Sequence, residues 1–309
     1  MTLSFYKVLP LEANLRATPR LLPTNVLTQL QQGQLVQRLP AAVNQPSGWL
    51  HVRVEGMGGS GPVEGFVKAF LLQKAPSVLP PSAAVLPAVT VPPARLIPPG
   101  PVTRTQTEGR AFSLQEAGQP GRPGPTAADK VRQLTRILEF LDVEHSVRYR
   151  PGKGLTYCNI YAHDYCHLAG AYLPRVWWRP TALAQLLAGT PVSAQYGTTV
   201  VELNANSLYN WLEECGSIFG WRRTFSTTEL QAGANAGQVA LICGQRTELN
   251  QPGHICAVVP ELPRYPAARH GTEVTIPLQS QAGARNFRYG GYAWWKGRQF
   301  ARFGFWLHD

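Results

Sequence analysis

Twelve of the 27 prolines lie between Pro76 and Pro125, in runs such as LPPSAAVLPAVTVPPARLIPPGP and GQPGRPGP. Each proline removes a backbone donor and favours extended chain, and no sustained helical or alternating apolar period runs through the stretch. The expectation is a semi-rigid spacer over residues 76–125 that divides the chain into residues 1–75 and residues 126–309. A length of 309 residues suits such a division, since domains run about 100 to 200 residues each.

Residues 1–75 alternate short β-rich runs with turn signals: ANLRATPR, NVLTQLQQGQLVQRLP, GWLHVRVEG and VEGFVKAFLL. That spacing predicts a small all-β barrel, with Trp49 and Phe66 as large rings filling its core. The order of pieces, an LR-x-x-P opening, a Gly-Trp strand and a closing Gly-Phe-Val strand, resembles the bacterial SH3-like domain. The resemblance implies binding or targeting, commonly to peptidoglycan cross-bridges, and no catalysis.

The net charge of +11 favours an anionic partner such as nucleic acid, a membrane surface or the bacterial wall. Nucleic acid is not expected, because no Lys/Arg stripe with interleaved aromatics and no nucleic-acid motif is present. No window approaches the ~20 apolar residues of a membrane span, so membrane insertion is not expected. The first residues, MTLSFYKVLPLEANLRATPR, lack the basic start and apolar run of a secretory signal, so export by another route is the expectation. Five cysteines, an odd count, read as reduced thiols.

Residues 126–309 begin with helical spacing. TAADKVRQLTRILEFLDVE has Thr126 as N-cap, with Val131, Leu134, Ile137, Leu138 and Leu141 on one face. TYCNIYAHDYCHLAG predicts a second helix, capped by Thr156 and ended by Gly170; RPTALAQLLAG and SLYNWLEECGSIFGW predict two more. Beyond residue 236 the pattern turns to strands: GQVALICG, GHICAVVPE, EVTIPLQSQ, YGGYAWWKG and QFARFGFWLHD. Helices followed by an antiparallel sheet make an α+β fold.

The second helix crowds Cys158, His163, Cys166 and His167 into ten residues. Four ligands from one helix cannot enclose a tetrahedral ion, and no paired CxxC knuckle exists, so neither metal nor cofactor is expected. Cys166 reads as a small buried apolar residue, as do Cys215, Cys243 and Cys256, and His163 and His167 read as surface histidines. Cys158 differs: in the first turn, unpaired N–H groups and the helix dipole favour a thiolate of lowered pKa, which makes it the best nucleophile in the chain.

A thiol nucleophile needs a base. His254 opens the strand HICAVVPE after Gly253 and shares a face with Cys256 and Val258, residues expected to be buried against the helix that carries Cys158. A third group should orient the imidazole; on the next strand Gln281 is the first choice, Asn286 the second and Gln279 the third.

A cysteine at a helix start in TYCNIYAHDY, then GHICAVVP, then a strand ending QSQAG, is similar to the papain-like cell-wall hydrolases, the NlpC-type peptidases and CHAP amidases. The resemblance implies a papain-like fold for residues 126–309, with helices packed on an antiparallel sheet. It implies a cysteine peptidase or amidase acting on the peptide part of peptidoglycan, with Cys158 as nucleophile, His254 as base and Gln281 as orienting group. Tyr157 and Asn159 flank the oxyanion position, and Trp177 and Trp178 are groove candidates. The sequence departs from the family in having Tyr157-Cys158-Asn159 where Asp-Cys-Ser/Gly is common, and in a longer separation between Cys158 and His254.

A wall hydrolase without a leader implies a phage lysin or an injected antibacterial effector, with a delivery machine or an immunity protein as partner and a target cell's wall or periplasm as its place of action. The alternatives are a toxin or deamidase acting on protein amides, and a non-catalytic wall-binding module.

Overall fold

The computed structural model describes residues 4–10, 12–42, 45–54, 62–75, 91–152 and 154–309. Two compact units emerge: residues 1–92 with 180–192 and 213–218, and residues 93–179 with 193–212 and 219–309.

The first unit contains one antiparallel sheet of β1 (Ser4–Val8), β2 (Glu12–Arg16), β3 (Val26–Gln31), β4 (Leu35–Arg38), β5 (Trp49–Val54), β6 (Val63–Lys68) and β7 (Leu72–Lys74), in the order β3-β2-β6-β5-β4-β1-β7. Alternate residues of these strands, among them Leu15, Leu30, Val36, Val52 and Val67, form a single apolar core. Trp49 is buried, as expected. Phe66 is only half-buried and stacks on His51 across the β5–β6 pair, with ring centroids 4.7 Å apart, because the register places those two residues opposite each other.

The second unit departs from the expected spacer. Residues 76–90 lie outside the described residues, but residues 93–125 belong to this unit and bury Ala94, Val102 and Leu114. Extended, proline-rich chain can lie along a surface when its remaining polar groups are paired. Here Arg104 holds Glu116 at 3.0 Å, Arg122 donates to the Ala169 carbonyl at 3.0 Å, and the Phe112 carbonyl accepts from Arg148 at 2.8 Å.

α1 (Ala127–Leu141) carries the expected cap: the Thr126 hydroxyl accepts the Asp129 N–H while the Asp129 carboxylate returns to the Thr126 N–H. α2 (Cys158–Leu168) follows, then β8 (Val176–Trp178), α3 (Pro180–Leu187), β9 (Val200–Glu202), α4 (Ala205–Glu214) and β10 (Arg222–Thr224). α5 (Thr227–Asn235), which apolar spacing alone does not announce, starts at Ser226, whose hydroxyl accepts the Glu229 N–H. Beyond it come β11 (Val239–Arg246), β12 (His254–Val258), β13 (Ala268–His270), β14 (Glu273–Ile276), β15 (Gln279–Gln281), β16 (Phe287–Gly290) and β17 (Phe300–His308). The run EVTIPLQSQ divides into β14 and β15 around Pro277, which lacks the donor a ladder needs.

Six of these strands form an antiparallel sheet in the order β10-β17-β11-β12-β15-β16, so the α+β class holds. Both faces of the sheet are covered, which is why β11 reads as a nearly unbroken apolar run. Ala240, Ile242, Cys256, Val258, Phe305 and Leu307 meet Leu230 and Ala234 of α5 together with Trp294 and Trp295. On the other face Ser280 meets Tyr161 of α2 and Trp306 meets Tyr209 of α4. Among the described residues no helix is long and apolar enough to cross a membrane.

Candidate functional site

α2 is buried on almost every side, and among the described residues all but one of its nitrogen- and oxygen-bearing side chains find a partner, the Tyr165 hydroxyl being the exception. Asp164 accepts from Arg148 at 2.7 Å and from the Tyr149 hydroxyl at 3.0 Å, with both members of the ion pair fully buried. Tyr161 bonds Ser280 at 2.6 Å. His163, expected at the surface, is buried between the Leu173 carbonyl and the Ser113 hydroxyl, 2.8 Å away, and burial holds its imidazole well below the ordinary range. These contacts fix the helix whose first residue is Cys158.

The cap of α2 is Tyr157, not Thr156, and it caps with no side-chain hydrogen bond. The helix entrance is thereby left to its own N–H groups. The backbone N–H groups of Ile255, of Asn159 and of Cys158 itself lie near enough to the Cys158 sulfur to favour its anion. The Ile255 amide among them brings the thiol near the start of β12, since the Ile255 nitrogen is two covalent bonds from the His254 Cα. Cys158 is a free thiol with 5% of its surface exposed. The lowered pKa expected for a helix N-terminus is not realised: burial pushes the thiol up, and the three N–H groups offset only part of that.

β12 begins at His254, and the loop before it is held from α4. Asn206 donates to the carbonyls of Leu249 at 3.2 Å and Gln251 at 2.9 Å, while its oxygen accepts the Arg246 N–H at 2.9 Å. Gly253 packs so closely that a Cβ there would meet the Gly244 carbonyl at 2.7 Å as well as the Asn206 side chain. The His254 imidazole lies on the face shared with Cys256 and Val258, as alternation predicts. That face is covered by α5 and Trp294, whereas α2 covers the opposite one. The helix that Cys158 opens and the His254 imidazole therefore lie on opposite faces of the sheet.

The His254 Nε2 lies 2.7 Å from Gln281 Oε1. The Gln281 amide nitrogen donates to the Arg285 carbonyl at 3.1 Å, which orients the oxygen toward the ring, so Nε2 carries the hydrogen and Nδ1 keeps its lone pair. Trp294 stands edge-on to the imidazole with centroids 4.5 Å apart, and Gly244 beneath it has no room for a Cβ, which would sit 2.8 Å from the indole. Burial lowers the imidazole to about 4, more than the Gln281 bond restores.

The other amides do different work. Asn286 donates to the Val143 carbonyl at 2.9 Å and the Tyr149 carbonyl at 3.0 Å and accepts the Gly283 N–H, bracing a loop. Gln279 accepts from Trp294 Nε1 at 3.1 Å, holding the indole in place. Of the residues flanking Cys158, Tyr157 lies under the Arg110 guanidinium, 3.6 Å from its ring centroid, and the Asn159 amide is committed to the Leu203 carbonyl at 2.9 Å. Trp178 is buried, and Trp177 packs edge-on to Trp211 at 5.5 Å on β8, outside the six-stranded sheet. Asn206 and Trp294 are the positioning residues that strand and helix patterns did not reveal. Among the described residues no group of His, Cys, Asp and Glu is placed to hold a metal ion.

No family model matches the chain, and no curated protein matches it. Among solved structures it is similar to NlpC2 from Trichomonas vaginalis, at 9% identity and a TM-score of 0.21 over 94% of this chain and 96% of that one. It is similar also to NlpC1 from the same organism, at 10% identity and a TM-score of 0.23 over 100% of this chain and 93% of that one.

Proposed function

We propose that the second unit is a papain-like cysteine hydrolase that cleaves amide bonds in the peptide part of bacterial peptidoglycan, with Cys158 as nucleophile, His254 as base and Gln281 as orienting group. The observation that carries this reading is the His254–Gln281 bond of 2.7 Å, shielded by Trp294, one residue before the amide whose N–H favours the Cys158 anion. The net charge of +11 suits an anionic wall polymer, and the N-terminal sheet is assigned the targeting role.

The protonation states set the order of events. With the thiol raised and the imidazole lowered, both are neutral near pH 7, so His254 acts as a general base during attack. Nδ1 takes the thiol proton as sulfur bonds to the carbonyl carbon, and the helix-start N–H groups donate to the oxyanion. The intermediate collapses as the imidazolium gives its proton to the leaving amine, leaving a thioester. Water, deprotonated by the same Nδ1, attacks that carbonyl; the C–S bond breaks, a carboxylic acid leaves, and the thiol recovers its proton.

Mass spectrometry of fragments released from purified sacculi by the wild type and by Cys158→Ala tests the reading. New amine and carboxylate ends are expected with the wild type alone. The same fragments from Cys158→Ala, or fragments cut in the glycan, overturn it.

A further inference from the structure

A cavity of about 250 Å³ opens at the far end of the β15–β16 pair from Gln281. It is built from three short stretches: residues 264–268, 276–278 and 289–291. Tyr265 and Tyr289 stack on each other with centroids 4.6 Å apart and 15° between the rings, and the guanidinium of Arg264 lies 5.7 Å from the Tyr265 centroid. Ile276, Pro277 and Leu278 supply apolar wall. Gly291 keeps the cavity's shape: a Cβ there would meet the Pro277 carbonyl at 2.8 Å.

Arg264 is the one charged residue among those that line this cavity. Arg264 is exposed and lines it, and no carboxylate is among the lining residues. Of the acids nearby, Glu139 acts on Tyr289, and Glu261 is occupied by Arg269 and by the Ala267 N–H, bonds that hold its carboxyl at about 2. A cation beside phenol rings and aliphatic wall fits an anion with a small apolar body. At ~30 Å³ for a water-sized volume, the cavity takes roughly eight such volumes, enough for a carboxylate and one small residue.

The cavity is also joined to the catalytic face. Its Pro277 carbonyl accepts from Gln279 at 3.3 Å, Gln279 holds Trp294, and Trp294 stands against His254. Leu278 lines the cavity and Gln281 orients the imidazole, three residues apart on an extended strand, so about 10 Å separates them at ~3.3 Å per residue. An extended substrate spans that distance in about three residues.

We propose that this cavity binds the free terminal carboxylate of a peptide ending in a small apolar residue, with Arg264 as its cation. Resting on the hydrolase reading above, this puts the carboxyl end of the substrate about 10 Å along the strand from the group that orients the imidazole.

Calorimetric titration of the full-length Cys158→Ala protein with N-acetyl-Ala-Ala, in L,L and D,D forms, and with the corresponding C-terminal amides tests it without catalysis. At least one acid form is expected to bind about tenfold or more tightly than its amide. Arg264→Gln should abolish that preference and Arg264→Lys should keep part of it; Arg264 is exposed, so both variants keep the fold. Equal binding of acid and amide by every form, or an unchanged preference in Arg264→Gln, overturns the proposal. With wild-type protein, peptides cut equally well with free and amidated ends contradict the cavity's role alone. Acid-selective binding with no cleavage of any peptide contradicts the hydrolase reading alone.

Discussion

Alkylation of Cys158 by iodoacetamide as a function of pH reports directly on whether the thiol and imidazole rest as an ion pair. A pre-formed pair gives a thiolate that reacts fast down to the low pH at which the sulfur itself is protonated. The structure predicts the opposite. Burial raises the thiol above an ordinary value of 9.0, and burial of His254 lowers its imidazole to about 4. The thiolate fraction at pH 7 is then below about 1%, and each unit of pH should raise the rate about tenfold until the thiol titrates. The midpoint is expected above pH 9, with no plateau at acid pH. The assay is intact-mass kinetics of the Cys158 adduct, with Cys158→Ala as the blank that accounts for the other four thiols. Gln281→Ala should leave the midpoint above 9. A midpoint below 7, or a rate independent of pH between 5 and 8, refutes the argument that desolvation outweighs the helix-start N–H groups.

Other outcomes follow from the same contacts. Gln281→Ala should lower kcat roughly 10- to 100-fold with KM little changed, because it frees the imidazole to turn without touching substrate; steady-state kinetics on a wall-peptide substrate reads this. Asp164→Asn leaves Arg148 charged and buried without a counter-ion and should cost about 3–5 kcal/mol in urea unfolding, whereas an apolar replacement of both partners should recover most of it. Gly253→Ala should abolish activity and destabilise the fold by about 1–3 kcal/mol, since its Cβ would press on the Gly244 carbonyl and on Asn206. His254 titrates near 6.5 when unfolded and at about 4 when folded, so below pH 6.5 only the unfolded state gains its proton. Stability from this group should be full above 6.5 and fall as pH drops toward 4, by on the order of 3 kcal/mol, a slope that His254→Gln removes.

What could be read from the residues was local. The Thr126 box, the apolar face of α1, the strand that opens at His254 and the amide at Gln281 all follow from short-range pattern. What failed was tertiary. Alternation says that His254, Cys256 and Val258 share a face, but not that α5 rather than α2 covers it, and α5 itself announced only a Ser226–Glu229 cap within a weakly apolar run. The helix-dipole argument for Cys158 had the right sign for its N–H groups and could not weigh them against burial, which depends on every neighbour. His163 looked like a surface residue because its partners, Ser113 and the Leu173 carbonyl, come from outside its helix. Proline density announced extended chain over residues 76–125 but not the Arg104, Arg122 and Arg148 contacts that pin its described part.

The central claim is that the Cys158 sulfur forms a thioester with substrate. Rapid acid quench of wild-type protein mixed with excess wall peptide, followed by intact-mass and peptide mapping, should show an acyl adduct on Cys158 that hydroxylamine removes and that never forms in Cys158→Ala. Cleavage at an undiminished rate by Cys158→Ala, or an adduct mapped to any other residue, contradicts it.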